Sequence, residues 1–141
     1  MNRNANAVWH GGLKDGKGTI STQSGTLKEA QYSFGTRFEN GVGTNPEELI
    51  AAAHAGCFTM AFANQLASGG LTVERLDTEA IVTLETTDDG PTVTKIHLVT
   101  KARVPNVEKE KFDELAKKAK EGCPISRLLK AAEITLDAQL V

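Results

Sequence analysis

The chain reads as an α+β protein in which antiparallel β-sheet packs around one long, apolar central helix, with a second, amphipathic helix beside it. Three observations predict this. No charged residue occurs between positions 49 and 73. Apolar residues alternate with period two over 76–84 and again over 94–104. Phe112, Leu115, Ala116 and Ala119 then recur at i, i+3, i+4 and i+7, one face of a helix. Helices and antiparallel strands in separate stretches define the class. At 141 residues the chain is expected to be a single domain, residues 1–141, with a core of its own.

The N-terminal third predicts short strands at 7–10, 18–23 and 27–34, punctuated by Gly11-Gly12, Asp15-Gly16 and Ser24-Gly25. A loop containing Arg37 is expected over 36–45. Asn45-Pro46-Glu47-Glu48 is then a strong helix start. Asn45 suits the N-cap, Pro46 the first helical position, and the two glutamates favour the positive end of the helix dipole. Glu48, three after Asn45, has the spacing of a capping box. The helix should run to about Ser68, where Gly69-Gly70 ends it. Apolar nearly all round, it is expected at the centre of the fold.

In 76–84 the even positions, Leu76 to Leu84, are apolar or small; in 94–104 the even positions again carry Ile96, Leu98, Ala102 and Val104. With Asp88-Asp89-Gly90-Pro91 between them, these two stretches predict a hairpin with one buried face. Pro105 and Asn106 are expected to open the amphipathic helix and Gly122 to stop it. A short helical turn should follow Cys123-Pro124, and 133–141 should be the last strand.

Composition excludes several functions. A net charge of −2, with one Trp, one Tyr and five Phe, offers nucleic acid neither a basic surface nor a stacking platform. The helix at 46–68 is long enough to cross a bilayer, but it is Ala-rich, interrupted by His54, Thr59, Asn64 and Gln65, and without a second such span. A buried helix is expected, not a membrane one. The opening MNRNANAVWH has no apolar run or cleavage signal, which predicts a cytoplasmic protein. Two cysteines there are catalytic, metal-bound or free more often than disulfide-bonded for structure.

Cys57 falls in the middle of the central helix between Gly56 and Phe58. A small apolar core residue is the plain reading. Gly56 argues against it, because a mid-helix glycine costs about 1 kcal/mol relative to alanine and is usually offset by close approach of another group. Phe58 and Phe62 could wall an apolar pocket or simply fill core. Cys123, between Gly122 and Pro124, is expected at a helix N-cap. Helix N-termini favour thiolate, so by that rule Cys123 would be the better nucleophile; a capping residue without chemistry is the alternative. His97 falls on the polar face of its strand. His54 and Cys57, i and i+3 on one helix, make half a metal site at best. No phosphate-cradling loop, dinucleotide fingerprint or nucleophile elbow is present, and no cofactor or metal is expected.

Two segments, GTNPEELIAAAHAGCF (43–58) and AKEGCPIS (119–126), flanked by YSFGTRFE (32–39) and AEITLDAQL (132–140), resemble the OsmC/Ohr family of thiol-dependent hydroperoxide peroxidases. His54-Ala55 before the first cysteine and Arg37 in Thr-Arg-Phe resemble its OsmC branch. The resemblance runs almost end to end. It implies an OsmC-like fold in an intertwined homodimer. It also implies that Cys57 is the peroxidatic thiol and Cys123 the resolving one, with Arg37 holding Cys57 as thiolate and Glu47 orienting Arg37. The substrate would be an organic hydroperoxide and the reductant a dithiol, in a response to oxidative or osmotic stress.

These roles predict a shared site. Along a regular helix, the ten residues from Glu47 to Cys57 rise about 15 Å. An Arg pinned to Glu47 would struggle to reach Cys57 of the same helix, so Glu47 of a partner chain is expected beside it. Two rivals remain. One is a binding or scaffold protein on the same fold. The other is a hydrolase or transferase using Cys57 with His54 as base, which leaves nothing to orient the imidazole.

Overall fold

The computed structural model describes all 141 residues as six strands and four helices. They form two compact units, residues 1–49 and 50–141.

In the first unit, β1 (Ala5–His10), β2 (Lys17–Thr22) and β3 (Ala30–Tyr32) form an antiparallel sheet in the order β1-β2-β3. Buried Gly16 and Gly18 leave room for the Trp9 ring, which a Cβ at either would strike within 3 Å. The Trp9 and Tyr32 rings meet at 5.4 Å beside them. β3 is shorter than the strand expected over 27–34. Ser33 stops it by capping α1 (Phe34–Phe38), a short helix where a loop was expected. Ser33 Oγ accepts from the Thr36 amide and Thr36 Oγ1 accepts from the Ser33 amide, a reciprocal capping box. Arg37 lies in the last turn of α1.

α2 (Pro46–Ser68) starts where Asn45 predicts: Asn45 Oδ1 accepts the Glu48 amide at 2.8 Å. The second half of that expected capping box is absent. The Glu48 carboxylate accepts instead from Thr44 Oγ1. Asn45 Nδ2 donates back to the Thr36 carbonyl, which ties the start of α2 to α1.

In the second unit, β4 (Arg75–Thr87) and β5 (Gly90–Arg103) form the expected antiparallel hairpin, with a register shift at Thr83/Leu84. Ile96, Leu98, Thr100 and Ala102 are buried on one face, as period two requires. Thr100 is tolerated there because its hydroxyl bonds that of Thr78 at 2.9 Å. β6 (Glu133–Leu140) pairs with β5 in parallel, so this sheet is mixed where wholly antiparallel pairing was expected. The cause is the connection. α3 (Lys109–Gly122) and α4 (Pro124–Leu128) intervene, and a crossover of that length returns the chain in the direction of β5. α3 starts later than Pro105 and Asn106 predict. Asn106 takes a left-handed turn, φ 58°, which asparagine tolerates better than most residues, and Glu108 is the last extended residue.

The core of this unit joins Phe58, Phe62 and Leu66 of α2 to Leu98 and Ala102 of β5 and Phe112, Leu115, Ala116 and Ala119 of α3. Burying each large side chain contributes roughly 1.5–3 kcal/mol. The expectation of a helix enclosed on all sides is only partly met. His54, Phe58, Phe62 and Leu66, spaced i, i+4, i+8 and i+12, form the one fully buried stripe. Ala52, Ala53, Gly56 and Met60 are open, Met60 to 76%. By length and composition α2 could cross a membrane, but its large aromatic side chains are packed on protein.

Candidate active site

The N-terminal unit pairs Arg37 with Glu47. Arg37 Nε donates to Glu47 Oε1 at 3.0 Å and to Oε2 at 3.3 Å, and Arg37 Nη2 donates to Oε1 at 2.8 Å. A planar guanidinium and a carboxylate engage best in this forked arrangement. Glu47 is in the first turn of α2 and Arg37 at the end of α1, so the Asn45–Thr36 bond that ties the two helices also aligns the pair. Arg37 further lies over the Phe38 ring at 5.3 Å.

The C-terminal unit pairs the thiols. Cys57 is half-buried in mid-α2, Cys123 is fully buried between α3 and α4, and both are free. Their sulfurs are 3.0 Å apart. A disulfide needs about 2.05 Å, so the bond can form with about 1 Å of approach.

Cys123 does occupy the N-cap of α4, with Pro124 at the first helical position, but its side chain makes no cap hydrogen bond. The helix start serves the other cysteine. The backbone amide of Ile125 acts to lower the Cys57 thiol pKa. Burial pushes the Cys57 thiol up from its usual range, the adjacent Cys123 thiol adds to the rise, and the Ile125 amide opposes it. Within this unit the balance leaves Cys57 poorly ionised, so a thiolate there requires positive charge from elsewhere.

An open groove of about 420 Å³ leads to Cys57, walled by Met60, Ala61, Asn64 and Gln65 on α2 and by Lys118 and Ala119 on α3. Phe58 and Phe62 do not line it. Both are fully buried, 5.7 Å apart in the core, because they face away from the groove along the stripe shared with Leu66. Gly56 faces open space too: beyond its chain neighbours and the backbone of its own helix, a Cβ there would meet nothing within 4 Å. His97 is half-buried and bonded through Nδ1 to Thr135 Oγ1 at 2.6 Å on the next strand.

Comparisons with known proteins show the family. Residues 38–138 match the family of OsmC-like proteins, and the chain is 50% identical over 140 residues to the peroxiredoxin OsmC of Escherichia coli strain K12, covering 99% of this chain and 97% of that one. The chain belongs to the OsmC-like family. It is also 28% identical over 110 residues to the organic hydroperoxide resistance protein OhrB of Bacillus subtilis, covering 78% of this chain and 79% of that one. The fold matches the crystal structure of an organic hydroperoxide resistance protein from Elizabethkingia anophelis with a TM-score of 0.77 at 24% identity, covering 100% of this chain and 99% of the other. As an OsmC-like protein half-identical to a peroxiredoxin, the chain is a peroxidase.

Two groups near the thiols escaped the sequence reading, the Ile125 amide and the Ser126 hydroxyl. Ser126 follows Cys123 by the same three residues that separate His54 from Cys57, a spacing that carries meaning only once α4 is placed on α2.

Proposed function

We propose that this chain reduces organic hydroperoxides in the cytoplasm through Cys57, with Cys123 as the resolving thiol and Arg37, oriented by Glu47, as the activating cation. The carrying observation is the 3.0 Å separation of the two sulfurs. The Cys57 thiolate attacks the distal oxygen of ROOH. The O–O bond breaks, the alkoxide takes a proton and leaves as alcohol, and Cys57 becomes a sulfenic acid. The Cys123 sulfur then attacks Cys57 sulfur, water leaves, and a disulfide remains. A dithiol reduces that disulfide and is itself oxidised. Arg37 cannot give up its proton, so it serves as a permanent counter-charge to the thiolate and a donor to the leaving oxygen.

The functional unit is a homodimer whose partner chain supplies the Arg37–Glu47 pair. Three observations support this reading. Burial alone disfavours the Cys57 thiolate. The side of α2 carrying Ala52, Gly56 and Met60 is uncharged and open. The missing Cβ at Gly56, with free space before it, leaves room for close approach by a second backbone. A two-fold pairing of α2 helices covers that side and brings Glu47 of one chain towards Cys57 of the other.

The test is one equivalent of cumene hydroperoxide added to the reduced protein, followed by peptide mapping. A Cys57–Cys123 crosslinked peptide is the expected product. Two free thiols with the peroxide unconsumed would favour the scaffold reading.

A further inference from the structure

His54 plays no part in the chemistry above, yet it is fully buried and carries the one buried side-chain nitrogen or oxygen without a partner, Nδ1. A polar ring with an orphan atom in a core costs stability, so its retention calls for a reason. Its other nitrogen supplies one. His54 Nε2 and Ser126 Oγ are 2.7 Å apart, both buried, joining α2 to α4. Burial holds the imidazole pKa below its usual value, so the ring is neutral at neutral pH. With the proton on Nε2 donating to Ser126, Nδ1 is left as a bare lone pair, the cheaper of the two orphans.

The placement matters more than the bond. His54 precedes Cys57 by three residues on α2, and Ser126 follows Cys123 by three on α4. The earlier residue of α2 pairs with the later residue of α4, so the two helices pass antiparallel, joined by two rungs one turn apart. One rung is the thiol pair and the other is His54–Ser126. α4 is a five-residue helix, too short to be stable alone. Pro124, Arg127 and Leu128 are exposed, which leaves half-buried Ile125 and the two rungs to anchor it.

We propose that His54, through Ser126, is a positioning residue for the thiol pair: its bond holds α4 on α2 so that Cys123 sulfur and the Ile125 amide both face Cys57. This rests on Cys57 and Cys123 being the redox pair. Without the rung, reduced α4 wanders, and closing the disulfide requires it to be ordered again.

The test is the effective concentration of the two thiols towards each other, measured by equilibrating the full-length protein in glutathione redox buffers. It needs no peroxidase turnover. His54→Leu and Ser126→Ala are each expected to lower it about tenfold, which corresponds to about 30 mV in the potential of the pair. His54→Gln, which keeps a donor near the Nε2 position, should restore most of the loss. With excess hydroperoxide, His54→Leu and Ser126→Ala should also accumulate Cys57 sulfinic acid while wild type does not, because slow resolution leaves the sulfenic acid exposed. If His54→Leu fails to fold, Ser126→Ala, which removes one oxygen, still reads the effect. An effective concentration within twofold of wild type in folded Ser126→Ala overturns the proposal. Failure of wild type itself to form the disulfide with hydroperoxide overturns the peroxidase reading instead.

Discussion

Arg37 and Glu47 hold opposite charges 2.8 Å apart at a site where the Arg side chain is 40% exposed, whereas Cys57 and Cys123 hold two sulfurs 3.0 Å apart at the edge of the apolar core. The first pair is made by polar local structure: a capping box on α1, an asparagine cap on α2 and a bond between them. The second is made mainly in the interior, by apolar packing among α2, α3 and α4 and by the buried His54–Ser126 bond. Each has what the other lacks. The N-terminal unit holds no cysteine, and no charged group is hydrogen-bonded to the two sulfurs. A reactive thiolate requires both thiol and charge, and the proposed homodimer would bring them together.

The largest expected effect removes the nucleophile. Cys57→Ser should abolish hydroperoxide consumption, while Cys123→Ser should permit about one turnover and leave Cys57 open to overoxidation, as mass spectrometry would record. If Cys123→Ser instead blocks the first oxidation, the roles are reversed and the helix-cap rule outweighs the family pattern.

Next comes the charge. Arg37→Ala should slow the first oxidation by about 10²-fold, the scale of losing one preorganised donor to a developing anion. The sign of the pH effect follows from the cause. Burial and the neighbouring thiol raise the Cys57 pKa, so without Arg37 the thiolate fraction at neutral pH falls. Alkylation of Cys57 by iodoacetamide should then be slower at pH 7 and still climbing at alkaline pH where wild type has levelled off. An identical pH profile in the variant would remove Arg37 from the site.

Selectivity is a smaller effect. The groove at Cys57 is walled partly by Met60, Ala61 and Ala119, so an alkyl group gains there what H2O2 cannot. At about 0.8 kcal/mol per buried methylene, tert-butyl hydroperoxide should exceed H2O2 in kcat/KM by about tenfold or more. Equal efficiencies would show that the groove does not receive the substrate.

Much of this was legible in the sequence because the signals were local. Asn45-Pro46-Glu47 starts α2 where cap rules place it, and period two marks the buried faces of β4 and β5. What escaped depends on partners distant in sequence. The parallel pairing of β6 is set by the crossover and not by its own residues. Phe58 and Phe62 have the same spacing whether they wall a groove or fill a core, and only the position of α3 decides. Ser126 is an ordinary polar residue until α4 brings it to His54. α1 alone was missed with its signal in view, since Ser33 and Thr36 stand at capping-box spacing.

The comparison of the two pairs is tested most directly by separating them onto different chains. Cys57→Ser destroys one pair and leaves Arg37–Glu47 intact; Glu47→Ala unpins Arg37 and leaves the thiols intact. Each variant alone should be inactive or nearly so. If a site takes its thiols from one chain and its charged pair from the other, a mixed dimer concentrates both lesions in one site and leaves the second site complete. Random exchange at equal concentrations makes about half the dimers mixed, so about a quarter of the wild-type activity should return. A same-chain site predicts no recovery, because every site in a mixed dimer then carries one lesion. Exchange must be verified independently, for example by native mass spectrometry of chains differing in a tag. With exchange established and activity absent, Glu47 and Cys57 belong to one chain's site, and the open side of α2 needs another explanation.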